Sequence, residues 1–230
     1  YHLLIQYLLV CLCCFPYSNI RILGIMNENC FYYLAPMCFE TSQLAGNIYK
    51  EAKRMGASEI EISKLKKRWE KLKDGGLEYH HVSGFSHPEL FTISMEDSAF
   101  TIDRSIWGLI PHWVNDIGEV QDLWDKTLNA RGETIFEKPS YKEAAKRNRC
   151  IVPLNGFFEH FHKNGSTFPH FIHQKDFNRI LVAGITDEWV NTGTGQIIKS
   201  MSIVTTKGNK LMSGIHNNPK LKEARMPLII

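Results

Sequence analysis

Short apolar runs recur along the chain after residue 76 and are separated by polar stretches. Each run is five to eleven residues long and is rich in β-branched and aromatic residues, a pattern that is typical of strands. Turn signals at Asn164-Gly165 and Thr192-Gly193 separate some of the runs. We therefore predict β-strands over residues 90–94, 100–110, 150–158, 168–173, 180–185, 197–205 and 226–230.

Two segments favour helices instead. Residues 44–73 are polar, with a partial apolar stripe at helical spacing, and Gly75-Gly76 predicts where this helical segment ends. Between residues 50 and 73 there are nine Lys or Arg against four Glu. This excess fits a solvated helical face and a phosphate-binding face about equally well. A second helix is predicted over residues 141–147.

The connections between the predicted strands decide the fold class. Most are too short for the helical crossovers that repeated parallel pairing requires. The sequence therefore predicts an α+β fold with a largely antiparallel β-sheet or barrel core flanked by helices. We expect residues 38–230 to form a single domain, truncated at its C-terminus because Ile230 lies inside an apolar run.

Residues 1–37 differ from the rest of the chain. The apolar run over residues 3–15 is too short to span a bilayer as a helix. It also lacks the basic residues that begin a signal peptide, since the first one is Arg21. We predict that this segment lies outside the domain, as upstream translated sequence or a removed leader, and that Met37 is the initiator residue.

Composition and charge limit the classes of protein to consider. Hydrophobic residues make up 43% and charged residues 22% of the chain, which excludes wholesale disorder and a multi-span membrane protein. The formal net charge of +3 permits an anionic partner without requiring one. After residue 37 only Cys38 and Cys150 remain, and their separation indicates neither a disulfide framework nor a zinc site. We infer a reducing compartment.

Five local patterns carry the candidate chemistry. They are Met37-Cys38, WGLIPHW over 107–113, NARGET over 129–134, RCIVP over 149–153 with GFFE over 156–159, and Ile215-His216 ahead of Arg225-Met226-Pro227. In this order they resemble the SOS response-associated peptidase (SRAP) family over residues 37–230. The resemblance implies a protein that links covalently to abasic sites in single-stranded DNA. This sequence departs from the family in Phe158 and His160, which flank Glu159, and in an Asn-Asn-Pro-Lys-Leu-Lys insertion after His216.

Cys38 matches the residue that becomes the mature N-terminus in that family after Met37 is removed. An N-terminal cysteine also suits reaction with an aldehyde on physical grounds. A free α-amine has a pKa of about 7.8 and is partly neutral at physiological pH, so it can form a Schiff base. The adjacent thiol can then close onto the imine carbon to give a thiazolidine. Standing alone, Cys38 would more often be a small buried hydrophobe.

Three further residues receive catalytic roles from the resemblance. Asn129 is implied to orient Cys38 and the sugar. Glu159 follows an apolar run, where a partly desolvated carboxylate suits proton transfer, and the family pattern places its catalytic Glu here. His216 matches the family's proton-transferring histidine. Taken alone, Asn129 also fits a loop or cap residue. Glu159 also fits a strand-end carboxylate, and His216 also fits a solvated loop side chain. Glu133 is expected to give structural support.

Four residues are candidate DNA contacts. Arg131 is expected to grip phosphate through its planar guanidinium, and Arg149 adds positive charge beside the pocket. Trp107 and Trp113 are candidates for stacking on unpaired bases, although Trp107 fits the core at least as well. The remaining His residues lack a Cys or Asp cluster at ligand spacing, so we predict no metal site. The chemistry implies no cofactor.

The predicted function is therefore abasic-site processing by an enzyme with lyase-like Schiff-base chemistry. Its expected partner is abasic single-stranded DNA. We expect a cytoplasmic monomer that does not bind membranes and is associated with the nucleoid when bound to DNA. Two alternatives stay open. One is a cysteine-type peptidase that removes the residues ahead of Cys38. The other is a module that binds single-stranded DNA non-covalently through residues 50–73.

Overall fold

The described strands form two sheets, and the chain passes between these sheets at residues 83–89, 154–156 and 174–180. The computed structural model describes residues 39–73, 77–218 and 222–230, together with the backbone of residues 20–24. Within these residues the strands are β1 (Ile20–Gly24), β2 (Glu40–Gln43), β3 (Tyr79–Ser83), β4 (Glu89–Glu96), β5 (Ala99–Trp107), β6 (Asn129–Arg131), β7 (Arg149–Leu154), β8 (Gly156–Lys163), β9 (Ser166–Gln174), β10 (Ile180–Val190), β11 (Ile197–Lys207) and β12 (Arg225–Pro227). The helices are α1 (Glu51–Arg54), α2 (Glu59–Leu72), α3 (Ile117–Trp124), α4 (Lys142–Arg147) and α5 (Lys210–Ile215), with short 3₁₀ turns at Ile48–Lys50, Gly84–Ser86 and Asp125–Thr127.

Five of the strands close into a barrel. β10 pairs with β7, β7 with β4, β4 with β5 and β5 with β11, and β11 returns to β10. Every pair in this ring is antiparallel except β5 and β11, which run parallel. β6 and β12 extend the wall by pairing with the C-terminal part of β11. The prediction of an α+β fold with a largely antiparallel barrel core is confirmed.

The second sheet has the strand order β1-β9-β8-β2-β3, and all its pairs are antiparallel. Its edge strand β1 pairs with residues 170–174 of β9. Part of the segment that was predicted to lie outside the domain therefore adds a strand to this sheet. The division of the chain at residues 37 and 38 stays a prediction.

The apolar run over residues 150–158, which was predicted as one strand, forms two. β7 ends at Leu154 in the barrel, and β8 begins at Gly156 in the second sheet. Asn155 makes the turn, because its N–H donates to the Ser42 carbonyl and its Oδ1 accepts from the Leu44 N–H at 2.8 Å. The single-strand prediction was wrong, since an apolar run cannot show where a chain passes from one sheet to another.

The basic polar segment is helical, as predicted, but it is divided into pieces. The first piece ends at Gly56, whose φ of +95° is left-handed and suits only glycine without strain. The second piece, α2, begins after Ser58, which forms a capping box with Glu61. α2 buries Leu65 and Trp69 in a hydrophobic cluster that includes residues of β4 and β5. Its polar face is left to solvent.

Several short elements have no predicted counterpart. β2, β3, β6, α3 and α5 are at most eight residues long, and most of them are largely polar, so they lack a clear apolar period. The helix predicted over residues 141–147 is confirmed as α4. Among the described residues, no helix has the length and apolar character needed to cross a membrane.

The largest hydrophobic cluster joins the barrel interior to one face of the second sheet. It contains Trp107 and Val152 from the barrel, Phe157 and Ile172 from the second sheet, and Ile215 from α5. Because α5 packs into this cluster, the residue that ends it, His216, is held over the second sheet. The core thus places one end of α5 beside β8.

Candidate active site

A buried carboxylate and a buried imidazole meet between β8 and the end of α5. His216 Nδ1 lies 3.0 Å from Glu159 Oε2, and the two side chains are only 2% and 6% exposed. The orientation of the two groups departs from that of a hydrogen bond, so the contact is a close approach that becomes an ion pair when His216 is protonated. The structure therefore brings together two of the predicted catalytic residues, which are separated by 56 positions in the sequence.

His216 is positioned by the helix that precedes it. Asn209 caps α5, since its Oδ1 accepts from the Met212 N–H at 2.9 Å. The His216 N–H donates to the Met212 carbonyl at 2.7 Å and ends the helix. Met212 and Ile215 are buried in the main hydrophobic cluster, which fixes the helix against the sheet. The imidazole thus projects from an anchored helix end.

Glu159 lies next to the point where, among the described residues, β2 stops covering one edge of β8. β2 covers the edge of β8 only from Gly156 to Phe158, and Phe158 pairs with Glu40. On the opposite edge, β9 pairs with β8 from Phe157 to Lys163. On the edge that faces β2, the His160 N–H donates to Glu159 Oε1 at 3.2 Å. The carboxylate therefore occupies the edge of β8 just beyond the first residue of β2.

Cys38, the predicted nucleophile, lies outside the described residues. The described chain resumes at Phe39, which is buried in the main hydrophobic cluster and whose carbonyl accepts from the Gly84 N–H at 2.7 Å. Because Glu40 pairs with Phe158, Phe39 and Glu159 are the next residues outward along the two strands. The residue that follows Cys38 is therefore anchored near the carboxylate.

Asn129 and Arg131 belong to β6, which runs parallel to β11. Asn129 pairs with Ile203 and Arg131 with Thr205. Asn129 is buried, and its carbonyl accepts from the Tyr141 hydroxyl at 3.2 Å, whereas Arg131 is exposed. The same strand β11 leads into α5 and His216, so Asn129 and His216 are both set by β11.

The sequence profile described as "SOS response associated peptidase (SRAP)" matches residues 54–230, which is more than half of the chain. The chain belongs to this family. It is 35% identical to the abasic site processing protein YoqW of Bacillus subtilis over 142 residues, which cover 61% of this chain and 58% of that relative. It is 32% identical to the abasic site processing protein HMCES of Xenopus tropicalis over 142 residues, which cover 54% of this chain and 40% of that relative.

Two solved structures share the fold of this chain. A protein from Bacteroides thetaiotaomicron is 36% identical and superposes with a TM-score of 0.67, covering 84% of this chain and 77% of that one. A protein from Bordetella bronchiseptica superposes with a TM-score of 0.63, covering 84% and 83% of the two chains. At 20% identity the second likeness concerns the fold alone.

In this SRAP chain, Glu133 has the supporting role that the sequence suggested. Both of its carboxylate oxygens accept from the Arg225 guanidinium, at 3.0 and 2.9 Å. Arg225 is 2% exposed and also donates to the Thr205 carbonyl at 3.0 Å and to Glu223 at 3.0 Å. The hydrogen bonds from Arg225 hold the pKa of Glu133 below its ordinary value, against the opposing effect of burial. This ion pair ties the loop after β6 to β11 and β12.

Replacing Glu133 by Gln is expected to lower the free energy of unfolding by about 2 kcal/mol at pH 7, because the buried Arg225 loses a bidentate partner. This expected loss of stability is modest because the Glu133 side chain is half exposed. Since the pKa of Glu133 is lowered on folding, its contribution is present above the ordinary value of 4.5 and is lost as the pH falls through the folded-state value. Urea unfolding should therefore show a difference in the free energy of unfolding between Glu133→Gln and the unmodified protein at pH 7. That difference should be smaller at pH 3.5.

Glu223 provides the matched control for that prediction. It makes a single, half-exposed contact with the same guanidinium, so Glu223→Gln should cost less than about 1 kcal/mol. Equal effects of the two substitutions, or a Glu133→Gln effect that does not depend on pH, would contradict the assigned role of Glu133.

The predicted DNA contacts separate into exposed and structural residues. Trp107 is fully buried, and its Nε1 donates to the Leu128 carbonyl at 2.9 Å, so it is a core residue and has no ring face available for stacking. Trp113 is 44% exposed and keeps a ring face accessible. Arg149 donates from Nε to the Ala145 carbonyl at 2.7 Å and thereby caps the end of α4. Burial and helix capping therefore explain Trp107 and Arg149 without a ligand.

The basic helix α2 presents an open groove. Lys64, Lys67, Lys71 and Arg68 line this groove, whose volume is about 460 Å³. Arg68 is paired with Asp103, whereas the three lysines have no ion pair among the described residues. The groove therefore offers three cations on one face of a helix.

A second carboxylate–imidazole group was not recognised from the sequence. Glu40 Oε2 lies 3.1 Å from His81 Nε2 and 3.6 Å from His160 Nε2. The hydrogen bond with Glu40 raises the pKa of His81 in spite of burial. These residues come from three neighbouring strands, β2, β3 and β8, so only the strand pairing reveals their proximity.

Proposed function

We propose that this SRAP protein processes abasic sites in single-stranded DNA by forming a thiazolidine crosslink through the N-terminal amine and thiol of Cys38. Membership of the family and the names of its relatives support the substrate. The observation that carries the proposal is the buried contact between Glu159 and His216 at the edge of β8, just where β2 begins. Phe39, which follows Cys38 in the sequence, is buried in the main hydrophobic cluster next to the start of β2.

The proposed reaction requires only the aminothiol and the opened sugar. The neutral amine of Cys38 attacks the aldehyde carbon, and loss of water from the resulting carbinolamine gives an imine. The thiolate sulfur then adds to the imine carbon, and the nitrogen takes up the proton that the thiol gave up. A five-membered ring closes and water is the sole by-product. The reaction involves no net oxidation or reduction.

Glu159 and His216 suit the proton transfers in these steps. The carbinolamine hydroxyl has to be protonated before it leaves, and the thiol has to lose its proton before it attacks. A buried carboxylate beside an imidazole can hold a proton and pass it on without competition from bulk water. We assign the orientation of the sugar to Asn129, a phosphate contact to Arg131 and base stacking to Trp113.

The test uses protein that begins at Cys38, as verified by intact-mass measurement. It is incubated with a single-stranded oligonucleotide that carries one abasic aldehyde, and we expect an adduct that survives denaturing electrophoresis. The same oligonucleotide with the aldehyde reduced to an alcohol should give no adduct. Absence of the adduct with the aldehyde substrate would reject the proposal.

Two other activities have outcomes of their own in this experiment. Non-covalent binding, to which the lysine groove of α2 would contribute, gives salt-sensitive retention of both oligonucleotides without a covalent band. Peptidase activity at Cys38 gives trimming of a chain that carries extra residues before Cys38, and Glu159→Gln should stop that trimming.

A further inference from the structure

We propose that Asn217 is a positioning residue that holds His216 against Glu159 by pairing with an edge of β8 that no strand covers among the described residues. Asn217 makes no contact with Glu159 and is not assigned any chemistry. Its proposed effect is exerted through the neighbouring imidazole. The inference rests on the proposed function, because it assumes that His216 takes part in crosslinking.

The contact that supports this role is a pair of hydrogen bonds to the backbone of β8. Asn217 Oδ1 accepts from the His162 N–H at 2.7 Å, and Asn217 Nδ2 donates to the His162 carbonyl at 2.8 Å. A carboxamide presents the same donor and acceptor as a peptide group, so the side chain pairs with His162 as a neighbouring strand would. β9 occupies the opposite edge of β8, where Thr167 pairs with His162.

The edge of β8 shows why such a substitute is needed. Alternate residues of a strand direct their N–H and C=O groups to the same edge. At Phe158 the partner on this edge is Glu40 of β2, and at His160 the N–H donates to Glu159 Oε1. At His162 the partner is Asn217. Glu159 is thus enclosed on one side by the start of β2 and on the other by Asn217.

The Asn217 clamp completes the anchoring of His216. On its N-terminal side the His216 N–H is bonded to the Met212 carbonyl in α5. On its C-terminal side eight residues separate His216 from Arg225 of β12. The two hydrogen bonds of Asn217 supply a fixed point one residue after His216. Small displacements of a proton-transfer group cost large factors in rate.

The test compares crosslinking rates under single-turnover conditions with saturating abasic oligonucleotide. Asn217→Ala is expected to slow crosslinking about tenfold, while affinity for the reduced, unreactive oligonucleotide stays within about twofold. Asn191→Ala is the matched control. Asn191 is a half-buried loop asparagine whose Oδ1 also accepts from backbone N–H groups, at 2.9 and 3.2 Å, but it lies in the β10–β11 hairpin. It should leave the rate unchanged.

A double-mutant cycle separates positioning from a general loss of structure. If Asn217 acts through the imidazole, Asn217→Ala has no further effect in a His216→Ala background. The proposal is overturned if Asn217→Ala slows crosslinking equally in the unmodified and the His216→Ala proteins. It is also overturned if Asn217→Ala does not slow crosslinking in the unmodified protein. The His216 ring resonances in NMR spectra give a readout that does not depend on crosslinking. They should shift in Asn217→Ala and stay in place in Asn191→Ala. Unchanged resonances reject the clamp even if no adduct ever forms, whereas absence of the adduct alone rejects only the proposed function.

Discussion

Protein that begins at Cys38 is expected to form the abasic-site adduct, and the same protein with one residue left ahead of Cys38 is expected to form none. The reason lies in the amine. When Cys38 follows another residue, its nitrogen is an amide whose lone pair is delocalised into the carbonyl, so it cannot attack an aldehyde. The two proteins can be compared on a denaturing gel, with intact-mass measurement to confirm the first residue of each. The expected difference is complete loss of the crosslink.

Cys38→Ala separates the contributions of the amine and the thiol. The amine remains, so an imine still forms, but no sulfur can close the ring. We therefore expect no stable band unless borohydride reduces the imine first. Cys150→Ala is the control, because burial raises the pKa of the Cys150 thiol to about 12 and removes it from any reaction near neutral pH. A stable band from Cys38→Ala without reductant, or a lost band from Cys150→Ala, would show that the chemistry is assigned to the wrong thiol.

Much of the barrel could be predicted because its strands either bury both faces or alternate regularly between apolar and polar residues. The apolar runs over residues 90–94, 180–185 and 197–205 correspond to β4, β10 and β11, although the real strands are longer. The added residues of β4 and β11 are mostly polar, whereas β10 continues through the buried residues Thr186, Asp187 and Trp189. The run over residues 150–158 was misread for a related reason, since the change of sheet at Asn155 is decided by hydrogen bonds to Ser42 and Leu44.

The two tryptophans of the WGLIPHW run show the limit of reasoning from residue type. Trp107 and Trp113 have similar neighbours in the sequence, and both are candidates for stacking. The structure buries Trp107 because it ends β5 inside the barrel, where it pairs with Met201 of β11. Trp113 follows the last strand residue by several positions and stays exposed. The sequence left Trp107 open between the core and stacking, and the register of β5 against β11 places it in the core.

The residues of the candidate site were identified through the family motifs. Their arrangement in space could be known only from the folded structure. Nothing in the sequence places His216 beside Glu159, because their approach depends on α5, a six-residue helix with no clear apolar period, and on the edge that β2 leaves uncovered. The cluster of Glu40 with His81 and the Asn217 clamp were missed for the same reason. Both depend on which strand lies next to which, and that information is absent from local patterns.

Replacing Glu159 by Gln is expected to slow crosslinking by about 100- to 1000-fold, which corresponds to about 3–4 kcal/mol of activation free energy. Gln has nearly the same shape and can still accept from the His160 N–H, so the edge of β8 should keep its structure. It cannot take up a proton or stabilise a protonated His216 at 3.0 Å. Single-turnover rates with saturating abasic oligonucleotide, measured from pH 6 to pH 8.5, give the effect directly.

Glu40→Gln is the matched control for Glu159→Gln. Glu40 belongs to the same sheet and also lies beside imidazoles, but its partners His81 and His160 are partly exposed. We expect its rate to stay within about threefold of the unmodified protein. If the two substitutions slow the reaction equally, the carboxylates act through the charge of the whole sheet edge. A large effect confined to Glu159→Gln instead assigns the proton transfer to the buried carboxylate, because burial is the property that distinguishes it from Glu40.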